Sequence, residues 1–149
     1  MFEMILIATD GSHHSRRAAE VAIEMAGLFG STIVVLYVVD IGKEYAPLGD
    51  LLSRAADDLI GGIRSSLTQQ GEEITKEVSD MAEKAGITAE RRIVEGYPAQ
   101  EILRLAEEEM ASLIAMGGIG ATGLNRFLLG SVADKVVRSS QIPVLVVRS

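Results

Sequence analysis

The stretch Met4-Ile5-Leu6-Ile7-Ala8-Thr9-Asp10-Gly11-Ser12 decides the fold. Five apolar residues in a row, with no polar alternation, describe a strand buried on both faces, which is how strands look in parallel sheets covered by helices. The polar break from Thr9 stops the strand, and Ser12 offers a helix N-cap. Beyond it Ala18, Ala22, Met25 and Phe29 recur at helical spacing, with Ala19 and Ala26 beside them, and Gly30 ends the run. Three more apolar runs, Ile33–Val39, Leu113–Met116 and Val144–Val147, are each bounded by Gly, Pro, Asp or Ser.

Helix-like stretches lie between these runs. Pro98 to Met110 carries the stripe Ile102, Leu103, Leu105 and Ala106, with Pro98 in the first turn. Ser131 to Ser139 carries Val132, Ala133, Val136 and Val137, and Pro143 opens the last strand. A fifth strand over Thr88–Val94 contains Glu90, Arg91 and Arg92, too polar for a sheet centre, and reads as an edge. From Leu48 to Ala85 apolar residues again recur near helical spacing, interrupted by Gly61-Gly62 and Gly71. One long helix with a weak point fits that stretch, and so do two helices; Ile41–Asp50 reads as a loop. Strands alternating with helices predict an α/β fold with right-handed crossovers. The expected architecture is an open five-stranded parallel sheet, order 3-2-1-4-5, with helices on both faces, Rossmann-like, in a single domain over residues 1–149.

The composition suits such a domain. The 149 residues are 48% apolar and 23% charged, which argues against disorder. Aromatics are only 4%, so the core must be aliphatic. With no cysteine, disulfides, thiolate chemistry and Cys-ligated metals are excluded. A net charge of 14 − 21 = −7 argues against a broad basic face for nucleic acid or anionic lipid, though main-chain amides can still bind an anion locally. Met1-Phe2-Glu3-Met4 carries acid where a signal peptide carries base, and no run reaches transmembrane length. The reading is cytoplasmic, with no membrane and no nucleic-acid partner.

Two strands end in unusual residues: Ala8-Thr9-Asp10-Gly11-Ser12, and Ala115-Met116-Gly117-Gly118-Ile119-Gly120. Open parallel sheets bind ligands beyond strand carboxyl ends where the strand order reverses, which order 3-2-1-4-5 places between strands one and four. Gly117, Gly120 and Gly130 are spaced G-x2-G-x9-G, with Ser131 directly after. Glycines let amides approach phosphate oxygens and permit positive φ, and a helix opening at Gly130-Ser131 favours an anion at its N-terminus. No Gly-Lys-Ser/Thr of a P-loop occurs. Asp10 reads either as a ligand contact or as a helix cap; Gly117 and Gly120 either as a phosphate loop or as a turn. Ser131 reads as an N-cap, a phosphate contact or both. His13-His14 lack the spacing of a metal site, and Arg16-Arg17 and Glu107-Glu108-Glu109 read as solvated helix faces.

The element around Asp10, the run Gly96-Tyr97-Pro98-Ala99, the stretch Met116–Val137 with Leu128-Leu129-Gly130-Ser131-Val132-Ala133, and Ile142-Pro143-Val144-Leu145-Val146-Val147 together resemble the universal stress protein family, in its ATP-binding branch. The resemblance covers nearly the whole chain apart from Ile41–Leu67. It implies that Asp10, with Thr9 beside it, contacts the nucleoside part of ATP, and that the backbone of Val38 meets the adenine. It implies that Met116, Gly117, Gly120, Gly130, Ser131 and Val132 form the ribose and phosphate loop. Ala121 and Ile119 stand where basic or polar side chains are common in the family, leaving Arg126 as the loop's basic group. The resemblance further implies magnesium or manganese carried on the phosphates, and a homodimer through strand 143–147. The function it implies is ATP-dependent regulation or stress response through an unknown protein partner, with hydrolysis slow or absent. The alternatives are a nucleotide-independent interaction module of the same fold and an enzyme of phosphoryl or adenylyl transfer. A phosphoacceptor receiver domain fits poorly, because the first strand ends without an acidic pair.

Overall fold

The computed structural model describes residues 1–42, 54–119 and 129–148. Its elements are β1 (Met4–Ala8), α1 (His13–Phe29), β2 (Thr32–Asp40), α2 (Arg54–Lys84), β3 (Ala89–Gly96), α3 (Pro98–Glu108), β4 (Leu113–Gly117), α4 (Ser131–Ser139) and β5 (Val144–Val147). The strands form one sheet, β3-β2-β1-β4-β5, with every neighbouring pair parallel. The expected strand order and the helices on both faces are therefore present.

The unbroken apolar runs follow from burial on two sides. Ile5 and Ile7, with Ile33, Val35, Leu113 and Ala115, face Ala19, Ala22, Ile23 and Ala26 of α1 and Val78 and Ala82 of α2. Leu6 and Ala8, with Val34, Leu36, Ile114 and Met116, face Ile102, Leu105 and Ala106 of α3 and Ala133 and Val136 of α4. Ile5, Leu6 and Ile7 are completely buried, and each such side chain contributes about 1.5–3 kcal/mol. Nothing polar fits at any position of β1, so the sequence shows no alternation there.

Local signals start and stop the helices. The Ser12 hydroxyl accepts the Ser15 N–H at 3.2 Å, capping α1. The strand β3 extends two residues beyond the expected Val94, and it is an edge: Arg92 reaches Glu90 at 2.7 Å and Glu109 at 2.9 Å, and Arg91 reaches Glu72 at 3.4 Å. These charges guard the strand's open side.

Some expectations fail. The helix begun by Pro98 stops at Glu108, not Met110. Met110 takes a left-handed φ of 57°, and the Ala111 N–H returns to the Ala106 carbonyl at 2.9 Å. Gly86 closes α2 in the same way, so a methionine does here what glycine ordinarily does. Phe29 and Val137, counted in apolar stripes, are 49% and 44% exposed. Phe29 instead packs edge-on against Phe2, ring centroids 5.3 Å apart. Leu48, Leu52 and most of the loop read over Ile41–Asp50 lie outside the described residues.

Between the two readings of the glycine-interrupted stretch, the structure has one helix of 31 residues. Gly71 is where α2 closes on the sheet: a Cβ there would stand 2.5 Å from the buried Tyr37 ring. A Cβ at Gly61 would meet nothing within 4 Å. Thermal or urea unfolding should therefore separate the two. Gly61→Ala should stabilise by about 0.5–1 kcal/mol through backbone entropy. Gly71→Ala should destabilise by about 1–3 kcal/mol through overpacking; equal effects would refute the close approach.

Candidate functional site

Because β1 and β4 are neighbours and their helices diverge, space opens between their carboxyl ends. From β1 the chain enters α1 on one face; α4, the next helix after β4, lies on the other. A cleft of about 420 Å³ occupies this place, in the range of small-ligand sites. Of the residues singled out from the sequence, Thr9, Asp10, Val38, Met116, Gly117, Gly130, Ser131 and Val132 all line it. Gly120 and Arg126 lie outside the described residues.

The β1 rim is fixed by a chain of hydrogen bonds. Asp10 Oδ1 accepts the Ser12 N–H at 2.9 Å, and Thr9 Oγ1 accepts the Gly11 N–H at 3.3 Å. The Ser15 hydroxyl donates to the Ser12 carbonyl at 3.0 Å and lies 3.1 Å from Thr9 Oγ1. The Thr9 proton then goes to Ser15, and both buried hydroxyls are committed to the protein. Asp10 is exposed and keeps one carboxylate oxygen without a partner among the described residues.

The glycines on the β4 side act by close approach and not by positive φ. Gly130 has φ −62° and ψ 157°, and neither Gly117 nor Gly118 has a left-handed backbone. A Cβ on Gly117 would stand 2.8 Å from the backbone of both His14 and Ser15, so β4 ends directly against the first turn of α1. The Gly118 N–H donates to Val147 O at 2.9 Å, and the Gly130 N–H donates to Gly118 O at 2.7 Å. Two amides of the glycine segment are thus used to close it.

The free donors come next along the chain. Gly130 is the N-cap of α4 and Ser131 its first helical residue, which corrects the reading of Ser131 as the cap. The first intrahelical bond is Asp134 N–H to Gly130 O at 2.9 Å, and no side chain caps the helix. The amides of Ser131, Val132 and Ala133 therefore have no intrahelical carbonyl. All three residues line the cleft, and the helix dipole adds partial positive charge there. Leu36, Val38, Ile102 and Met116 give the cleft an apolar floor.

Sequence reasoning missed Ser12, Ser15, Asp40, Leu67, Ile102 and Gly118 as lining residues. Asp40 carried a signal, two positions past Val38 on the same strand. Leu67 did not, because its place depends on how α2 crosses the sheet. Among the described residues no cluster of three or more potential metal ligands exists, and His13 and His14 form none.

A doubly wound parallel sheet with a cleft at its switch point defines the class as an α/β protein with a binding site at the strand ends. Residues 1–148 match the model of the universal stress protein family, and the chain belongs to that family. Universal stress protein MJ0531 of Methanocaldococcus jannaschii is 40% identical over 148 residues, covering 99% of this chain and 83% of that protein. The solved structure of MJ0577, from the same organism, is 30% identical with a TM-score of 0.84 and covers 100% of this chain and 97% of the other. A universal stress protein solved in complex with cAMP is 29% identical with a TM-score of 0.69, covering 98% of this chain and 97% of that one.

The contact of Gly117 with α1 is open to test. Gly117→Ala should lower stability by about 1–3 kcal/mol in urea unfolding, because the neighbour is backbone and cannot rotate away. A neutral effect would show that β4 does not press on α1.

Proposed function

We propose that this chain is an ATP-binding regulatory protein of the stress response, with hydrolysis slow or absent. The observation that carries the reading is the set of three unpartnered amides at Ser131, Val132 and Ala133, opening into a cleft with an apolar floor. Donors at a helix N-terminus suit phosphate oxygens, and an apolar floor suits a base. The net charge of −7 does not oppose this, because distant charges are screened over about 8 Å at physiological salt, whereas the amides act at contact.

In this reading the three amides and the Ser131 hydroxyl hold phosphate. Gly117 and Met116 border the sugar, Thr9 and Asp10 hold the nucleoside side, and the Val38 main chain meets adenine. Gly120 and Arg126 belong to the same set. Magnesium or manganese would ride on the phosphates and offset their charge. The relative bound to cAMP supports an adenine nucleotide. The half-buried edge strand β5, Val144–Val147, supports a homodimer through residues 143–147. Regulation then requires that nucleotide-bound and free states differ in affinity for a protein partner. We place the protein in the cytoplasm; among the described residues no helix is long and apolar enough to cross a membrane.

Ser131→Pro tests the amides with little risk to the fold. Proline is favoured at the first helical position, and Gly130 already has the extended backbone that precedes proline. The substitution removes one amide and one hydroxyl. In calorimetric titration of ligand-stripped protein, Mg-ATP affinity should fall at least about tenfold, the scale of one lost bond to a charged group, while thermal unfolding stays unchanged. Undiminished affinity would overturn the assignment.

A further inference from the structure

The residue at the far end of the cleft has no role so far. Asp40 closes β2 on the same face as Leu36 and Val38, since side chains alternate along a strand, and it lines the cleft. Its Oδ1 accepts the Gly42 N–H at 2.9 Å, which fixes the carboxylate at the strand end. Its other oxygen has no hydrogen-bond partner, and no Lys or Arg pairs with it, among the described residues. The nearby Glu101 carboxylate, which fills the space a Gly96 side chain would take, is already held by Arg104 at 2.6 Å. Asp40 is therefore the half-buried carboxylate of the cleft that lacks a neutralising partner among the described residues.

Position tells what it faces. The free amides stand beyond β4, and β1 then β2 follow in the sheet, so Asp40 lies about 10 Å away, two inter-strand spacings. A mononucleotide anchored by phosphate at α4 passes its ribose over β1 and brings its base to β2. An ionised carboxylate only accepts hydrogen bonds, so a half-buried one needs a donor on the base. We propose that Asp40 is the specificity-determining residue for the base: its free oxygen accepts from the exocyclic amino group of an aminopurine. The proposal rests on the nucleotide reading above and adds a discrimination to it.

The test compares ATP with purine riboside triphosphate, which lacks the amino group, on the full chain stripped of ligand. Asp40→Asn keeps an oxygen for Gly42 N–H and turns the other atom into a donor that cannot accept. Wild type should bind ATP about tenfold more tightly than the deamino analogue. Asp40→Asn should bring the two within about threefold by weakening ATP alone, with unfolding temperature unchanged. If wild type binds both equally, or the variant loses both equally, the role of Asp40 is overturned while the nucleotide reading stands. If wild type binds neither, both fall.

Discussion

The parallel pairing of β1 with β4, Ile5 on Leu113 and Ile7 on Ala115, is the constraint on which the rest depends. It makes neighbours of two strands far apart in sequence whose helices lie on opposite faces of the sheet. No helix can then cover the gap between their carboxyl ends. The cleft is a consequence of chain direction, and it would exist with other side chains lining it. What this sequence adds is the furnishing: hydroxyls and Asp10 on one side, glycines and an uncapped helix on the other.

The uncapped helix is held by a short relay. Val147 O takes the Gly118 N–H, and Gly118 O takes the Gly130 N–H, so β5, the end of β4 and the N-cap of α4 form one connected piece. This relay leaves the next three amides facing the cleft without a partner in the helix. Buried donors without acceptors cost about 1–3 kcal/mol each, so a site that leaves several unpaired is suited to a ligand rich in acceptors. Gly117 belongs to the same construction from beneath, since any larger residue would push β4 off α1.

Much of this was legible in the residues, for identifiable reasons. Met4–Ala8 and Val144–Val147 have the bounds read from the sequence, because burial on two faces leaves no room for polar residues inside a strand. Strand order followed from the helical stretches between the strands, through the rules of crossover. The end of α3 was not legible, since Met110 adopts a backbone that its side chain does not advertise. The continuity of α2 was undecided, because three glycines weaken a helix locally while packing against β2 and β3 restores it. In the site, residues adjacent in sequence to a strand end were found, and those delivered by another element, Leu67 and Ile102, were not. The glycine spacing located the loop but misled about mechanism: its glycines serve close packing and internal bonds, and the free donors begin one residue later.

That last distinction can be measured atom by atom. In a titration of ¹⁵N-labelled protein with Mg-ATP followed by NMR, the amide resonances of Ser131, Val132 and Ala133 should shift most. Those of Gly118 and Gly130, already bonded to Val147 O and Gly118 O, should shift little. If the first three stay in place while nucleotide binds, the phosphate is held elsewhere and the uncapped end of α4 is not the anion site.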